Sequence, residues 1–187
     1  PREAEIVLYN SFSKTGTGHG TDKALVAGIL GLAADDDLIK ESFEIAKKCG
    51  IKVDLIFGNT QPNFSPNTAI LTLKGKYNST KVIGSSVGGG RVKVFSIDGF
   101  NTEFTGEFNT IITIHDDRPG IIARVASFLA EKGINIAHMM VSRESRGKTA
   151  LMLIEVDEEL PEGLDSALSG MNHIKRAMVI KSLLGGA

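Results

Sequence analysis

Strand and helix patterns follow one another in a restrictive order over residues 110–183: strand, helix, strand, strand, helix, strand. Strands are read at residues 110–115, 134–143, 149–156 and 173–183, and helices at 120–131 and 161–169. In the first helix Ile121, Val125, Phe128 and Leu129 fall on one side, and Gly133 follows as a cap. Arg146-Gly147-Lys148 reads as a hairpin turn between the two middle strands. This βαββαβ order predicts a ferredoxin-like sandwich, a sheet carrying both helices on one face. Residues 108–187 are expected to form that domain.

The junction of its first strand and helix is His115-Asp116-Asp117-Arg118-Pro119-Gly120, and Asn135 follows fifteen residues after Gly120. Pro119 has a fixed φ and no N–H, so it suits a first helical turn. Gly120 lets a backbone or small ligand come close. The free N–H groups of a helix start suit a carboxylate, and His115 and Asn135 add side-chain donors and acceptors. These residues describe either a site for a small amino acid or a plain strand-to-helix connection.

The preceding half reads as a mixed α/β domain over residues 1–98. A strand at residues 5–10 begins almost at once, which leads us to expect a truncated start or a missing preceding segment. Thr21 and Asp22 are N-cap candidates for a helix carrying Ala24, Leu25, Gly28, Ile29 and Leu32. Gly28 and Gly31 weaken that helix and predict close packing against a neighbour. A second helix is read at 35–48, opened by acidic residues and stopped by Gly50. Strands are read at 51–57, 68–73, 80–85 and 91–97, with a proline-containing loop at 59–67. The polar stretch 99–107 is the expected linker.

Composition excludes several classes of partner. A net charge of -1 over 187 residues gives no reason to expect nucleic acid. No apolar run approaches the ~20 residues of a membrane span. The single cysteine, Cys49, cannot form a disulfide within this chain, which fits a reducing cytoplasm. Nor can one cysteine supply the three or four thiolates usual for an iron–sulfur cluster.

Three further motifs lie in the first half. Lys14-Thr15-Gly16-Thr17-Gly18-His19-Gly20-Thr21-Asp22 resembles a glycine loop at a helix start, but fits neither the Walker nor the dinucleotide spacing. Pro66-Asn67-Thr68 is ordinary turn chemistry. Gly84-Ser85-Ser86-Val87-Gly88-Gly89-Gly90 reads as a hairpin or bulge. His19, Gly20, Thr21, Asp22, Asn67, Ser85, Ser86, Gly88, Gly89 and Gly90 are expected to converge on one surface for a small ligand or a partner subunit. The bland alternative is three unrelated turns.

Taken together, these motifs resemble two known families. The second half resembles an ACT domain, the small regulatory module that often binds amino acids between two copies. The phosphoglycerate dehydrogenase version has His-x-Asn-x-Pro-Gly, then an asparagine. Here His115, Pro119, Gly120 and Asn135 match, and Asp117 stands where that family has asparagine. Over residues 5–184 the full order of motifs resembles the β subunit of iron–sulfur-dependent L-serine dehydratases.

The resemblance implies an allosteric substrate-binding-like domain, here without the family's N-terminal Gly-Pro-Ser-Ser-Ser-His-Thr segment, followed by an ACT domain. It implies L-serine as ligand at His115, Asp117, Gly120 and Asn135. It also implies a catalytic α subunit holding a 4Fe–4S cluster that turns serine into pyruvate and ammonia, with no catalytic residue or metal ligand in this chain. A homodimer through the ACT region would cover its exposed strand edge. The alternatives are a free-standing amino-acid-sensing ACT module and a regulatory fragment of a phosphoglycerate dehydrogenase. No dinucleotide-binding βαβ unit is read here, which weighs against the latter.

Overall fold

The computed structural model describes residues 1–183; the end of the expected second domain, 184–187, lies outside the described residues. The chain forms two compact units that divide between Gly99 and Phe100.

The first unit runs β1 (Glu3–Asn10), α1 (Ser11–Thr15), α2 (Thr21–Leu30), a 3-10 turn (Asp37–Glu41), α3 (Ser42–Lys48), β2 (Lys52–Phe57), β3 (Asn67–Lys74), β4 (Ser79–Gly88) and β5 (Arg91–Ile97). Its strands lie in the order β2-β1-β3-β4-β5. β1 and β2 are parallel, and the remaining neighbours are antiparallel. Parallel neighbours need a long crossover, and the helices supply it. Along β1 the side chains alternate: Glu3 and Glu5 are exposed, while Ile6 and Leu8 are buried. Ile6 and Leu8 join Val26, Ala46 and Ala69 in the core, with Leu25, Phe43, Leu55 and Leu71 packed against it. No residue of β4 or β5 belongs to this cluster, so the helix layer is narrower than the sheet.

Asn10 ends β1 in the left-handed region, with φ 56. Its side chain grips the loop that precedes β3. Nδ2 donates to the carbonyls of Gln61, Phe64 and Ser65 at 3.0–3.1 Å, and Oδ1 accepts from the Gln61 N–H at 2.8 Å. Those bonds hold a conformation that a non-glycine residue rarely adopts.

Several elements differ from the sequence expectation. Residues 11–15 form an unexpected short helix. The expected helix at 35–48 opens as a 3-10 turn, because the Asp36 carboxylate accepts from the Leu38 N–H at 2.8 Å and competes with regular helix. Gly28 makes no close contact; it is exposed with open space beside it, and Gly31 ends α2 at φ 81.

The second unit opens with β6 (Phe100–Phe104), at residues expected to form the linker. The reason is alternation: Thr102 and Phe104 are buried, while Asn101 and Glu103 are exposed. Then come β7 (Asn109–Asp116), α4 (Ile121–Glu131), β8 (His138–Arg143), β9 (Thr149–Val156), α5 (Leu164–Ser169) and β10 (Ile174–Ile180). The sheet order β10-β7-β9-β8 is antiparallel throughout. This is the α+β sandwich that the order of elements predicted. β9 is central and buried from residue 150 to 156. Ile121, Val125 and Leu129 of α4, spaced by four, pack on Ile111, Met152 and Ile154 with Leu164 and Leu168 of α5.

Leu129 is fully buried in this cluster. Leu129→Ala is therefore expected to destabilise the second unit by about 2–5 kcal/mol, measured by urea unfolding followed by circular dichroism.

Candidate functional site

The narrow helix layer of the first unit leaves a groove of about 360 Å³ between α2 and the uncovered strands β4 and β5. Thr21, Ala24 and Leu25 line one wall from α2, in helical spacing. Leu71, Val82, Val92 and Val94 form the floor, and His19, Gly20, Ser85 and Ser86 also line it. Ladder pairing decides which side chains face inward. Ala69 pairs with Gly84 and Leu71 with Val82 on the helix side, so alternation sends Ser86 there too. Ser85 pairs with Thr68 on the opposite face. Lys93 pairs with Ser85, and its ammonium lies 5.7 Å from the Phe95 ring centroid. The inward surface is therefore aliphatic, with the His19, Thr21 and Ser86 side chains as its polar groups. His19 Nδ1 donates to the Thr15 carbonyl at 3.1 Å, which leaves Nε2 for a ligand.

The structure thus brings together His19, Gly20, Thr21, Ser85 and Ser86, and leaves the other expected members out. Asp22 is buried, its carboxylate accepting from the Lys23 N–H at 2.8 Å. Asn67 pairs with Asn10 in the sheet. Gly88, Gly89 and Gly90 form the β4–β5 turn, at φ 90, 62 and 74, outside the groove. Thr68 is the residue that sequence reasoning passed over. Its hydroxyl donates to the Ser65 carbonyl at 2.9 Å and accepts from the buried Ser85 hydroxyl at 2.6 Å. The Pro66-Asn67-Thr68 motif carried that signal, but a hydroxyl facing inward from a ladder position cannot be told from an outward one without the register.

In the second unit β7 delivers His115, and Gly120 caps α4 at φ 87. His115 is buried, with Nδ1 3.3 Å from the Thr113 hydroxyl. Burial pushes its imidazole below the ordinary value of 6.5, partly opposed by a hydrogen bond to the Thr113 backbone and by the Asp117 and Asp116 charges. Asp117 reaches the hairpin between β8 and β9. Its Oδ2 accepts from the Gly147 N–H at 2.8 Å and lies 3.4 Å from Arg143 Nη1. The Gly147 bond first, and Arg143 next among the favourable charges, hold this carboxyl below the usual carboxylate range. Asp116 turns to the other side, 3.0 Å from His173 Nδ1 and 3.2 Å from Lys175 Nζ. Those partners lower its pKa as well, His173 foremost.

Asn135 does not join this turn within one chain. His115 and Arg143 both align with Ala150, whereas His138 aligns with Glu155, five ladder positions away. Asn135 precedes His138, so it lies at the opposite end of the sheet, more than about 17 Å from the turn at ~3.4 Å per residue. Within one chain the expected site residues therefore fall into two halves, His115, Asp117 and Gly120 at one end of the sheet and Asn135 at the other. The cause is topological: β7 and β8, joined by one crossover helix, run in the same direction.

The ACT domain family model matches residues 109–170, the part of the chain that carries this turn. The L-serine dehydratase β chain of Peptoniphilus asaccharolyticus is 36% identical over 180 residues, which cover 96% of this chain and 81% of that protein. The chain belongs to the L-serine dehydratase β-chain family. The probable L-serine dehydratase β chain of Bacillus subtilis (strain 168) is 35% identical over 174 residues, 93% of this chain and 79% of that protein. Similarity extends to the D-3-phosphoglycerate dehydrogenase of Methanocaldococcus jannaschii, 30% identical over 160 residues, but those residues are 84% of this chain and only 30% of that enzyme.

The donors of this β-chain family member do not fit an iron–sulfur cluster. Cys49 is its one cysteine and lies exposed at the end of α3. Among the described residues no three His, Cys, Asp or Glu side chains come together to hold a metal. Among the same residues no helix is long and apolar enough to cross a membrane.

Two outcomes follow from these groups. Thr68→Val leaves the buried Ser85 hydroxyl without its acceptor and should cost about 1–3 kcal/mol, whereas Ser85→Ala, which removes both the hydroxyl and its need, should cost less; urea unfolding of both variants reads the difference. For His115, the unfolded chain takes up a proton more readily than the folded one. Its contribution to stability is complete above the ordinary value of 6.5 and declines as pH falls below it. His115→Asn, which keeps the other histidines, should show a shallower fall in urea midpoint between pH 7.5 and 5.5 than the wild type.

Proposed function

We propose that this chain is the regulatory, non-catalytic β subunit of a two-chain L-serine dehydratase of the cytoplasm. A separate α subunit would hold the 4Fe–4S cluster and convert L-serine to pyruvate and ammonia. The observation that carries the reading is similarity to β chains along nearly the whole sequence, in a chain that lacks the thiolates a cluster needs. Its parts would be an allosteric substrate-binding-like domain over residues 1–98 and an ACT domain over 108–187, with β6 lying in the 99–107 connection.

L-serine would bind between two copies of the ACT region. β8 is an edge strand, and a two-fold antiparallel pairing along it sets the start of one β8 beside the end of the other. Asn135 of each copy then meets the His115–Gly120 turn of the second. Charge favours this orientation. The turn end carries Arg118, Arg143, Arg146, Lys148 and Lys175 against Asp116, Asp117 and Glu144, while the opposite end carries Glu131, Asp157, Glu158, Glu159 and Glu162 against Lys132.

The groove of the first unit would dock the α subunit. Its aliphatic floor desolvates an apolar side chain at little cost, whereas zwitterionic serine would meet Lys93 as the one Lys, Arg, Asp or Glu in the lining, and strand alternation turns that side chain to the opposite face.

Reconstitution tests the whole reading. The chain alone, supplied anaerobically with iron and sulfide, should form no cluster and no pyruvate, and adding the α subunit should produce both. Val92→Asp should weaken capture of the α subunit. Asn135→Ala should lower L-serine affinity about tenfold or more in calorimetry, the scale of one lost hydrogen bond to a charged ligand. Cluster formation with turnover by the lone chain would overturn the assignment.

A further inference from the structure

We propose that Arg143 is the anchor for the ligand's carboxylate at the ACT turn, and that Asp117 holds it in place. The inference rests on the reading that L-serine binds at that turn.

Position is the first argument. Arg143, Ala150 and His115 form one row across β8, β9 and β7. Paired residues share a face, so Arg143 and His115 point to the same side of the sheet, about 10 Å apart at ~4.8 Å per strand. An arginine side chain spans most of that distance. Its Nη1 lies 3.4 Å from Asp117 Oδ2, beside the start of α4, with the side chain 60% exposed. As the last residue of β8, it is also the residue that antiparallel pairing brings toward the second copy's Asn135. The two half-sites would therefore meet at its guanidinium.

Chemistry is the second argument. Among the other charged groups at this end, Asp116 holds His173 and Lys175, and Lys148 lies 4.0 Å from Glu144; Arg118 and Arg146 are exposed, and of the three arginines Arg143 is the one in the His115 row. Asp117 spends its strongest bond on the Gly147 N–H, at 2.8 Å. The longer contact to Arg143 restrains the guanidinium while using one of its five N–H donors. A planar fork with free donors matches a carboxylate in two parallel bonds, which an ammonium cannot do. This also gives Asp117 a role in place of the asparagine of the phosphoglycerate dehydrogenase motif. A neutral amide would not hold a guanidinium by charge, and here the Asp117 charge is answered by Arg143 and Gly147 before a ligand carboxylate arrives.

Calorimetry on the full chain with L-serine and with L-serinamide, which has no carboxylate, tests the anchor. The wild type should prefer L-serine. Arg143→Gln should lower L-serine affinity tenfold or more and erase the preference, with Arg143→Lys intermediate. Asp117→Asn should weaken L-serine and leave L-serinamide nearly unchanged. Lys40→Gln, which removes an exposed charge from the first unit, should bind as the wild type. Thermal melts and sedimentation of each variant separate lost binding from lost fold or lost pairing. If Arg143→Gln folds and binds L-serine like the wild type while Asn135→Ala does not, the anchor is overturned and the site stands. If Arg143→Gln fails to fold, Asp117→Asn decides: equal loss for both ligands overturns the anchor. A wild-type chain that binds no L-serine overturns the underlying reading and the anchor with it.

Discussion

A helix that returns the chain over one face of a sheet obliges the two strands it joins to point the same way. In the second unit that constraint governs β7, α4 and β8, and the arrangement of chemical groups follows from it. The turn that opens α4 and the segment that leaves it are held at opposite ends of the sheet by β9, the buried strand between β7 and β8. No change of rotamer brings His115 and Asn135 together. The same constraint sets the end of β8, and so Arg143, level with the turn. A motif that is compact in sequence is divided in space, and the proposed two-fold pairing of copies would reunite it.

The first unit obeys a different limit. Its crossover between β1 and β2 supplies the helices, and their apolar faces meet β1, β2 and β3. Two more antiparallel strands continue the sheet past the edge of that layer. Aliphatic residues at Val82, Val92 and Val94 keep the inward alternation of a covered strand although no helix of the unit covers them. Asn67 and the glycine turn are excluded because they belong to the ends and tip of the ladder.

Much of this was legible in the sequence. The βαββαβ order gave the sandwich because each element carries a strong period: Ile121, Val125 and Leu129 in α4, and the apolar run of β9. The convergence of His19, Thr21 and Ser86 was legible from motif order. What was not legible depended on long-range register. Whether Ser85 faces Thr68 or the groove is fixed by pairing across seventeen residues, and nothing local to either residue records it. The stretch 99–107 reads as a linker because it is polar, although Phe100, Thr102 and Phe104 alternate with Asn101 and Glu103 in a strand pattern. Asn135 was assigned to the turn by motif resemblance, which conveys membership of a site without saying which copy contributes it.

Asn10 carries a consequence for how the first unit resists cleavage. The loop from 58 to 66 is irregular, polar and bears two prolines, the composition of a segment that proteases nick readily. Before a protease can straighten it, the loop must give up three carbonyl bonds and one N–H bond, all to a single side chain. Susceptibility of this loop therefore reports its release from the end of β1 and the start of α1, where the Ser13 hydroxyl on the Gly58 carbonyl and the Ser11 N–H on the Pro66 carbonyl add to the grip of Asn10.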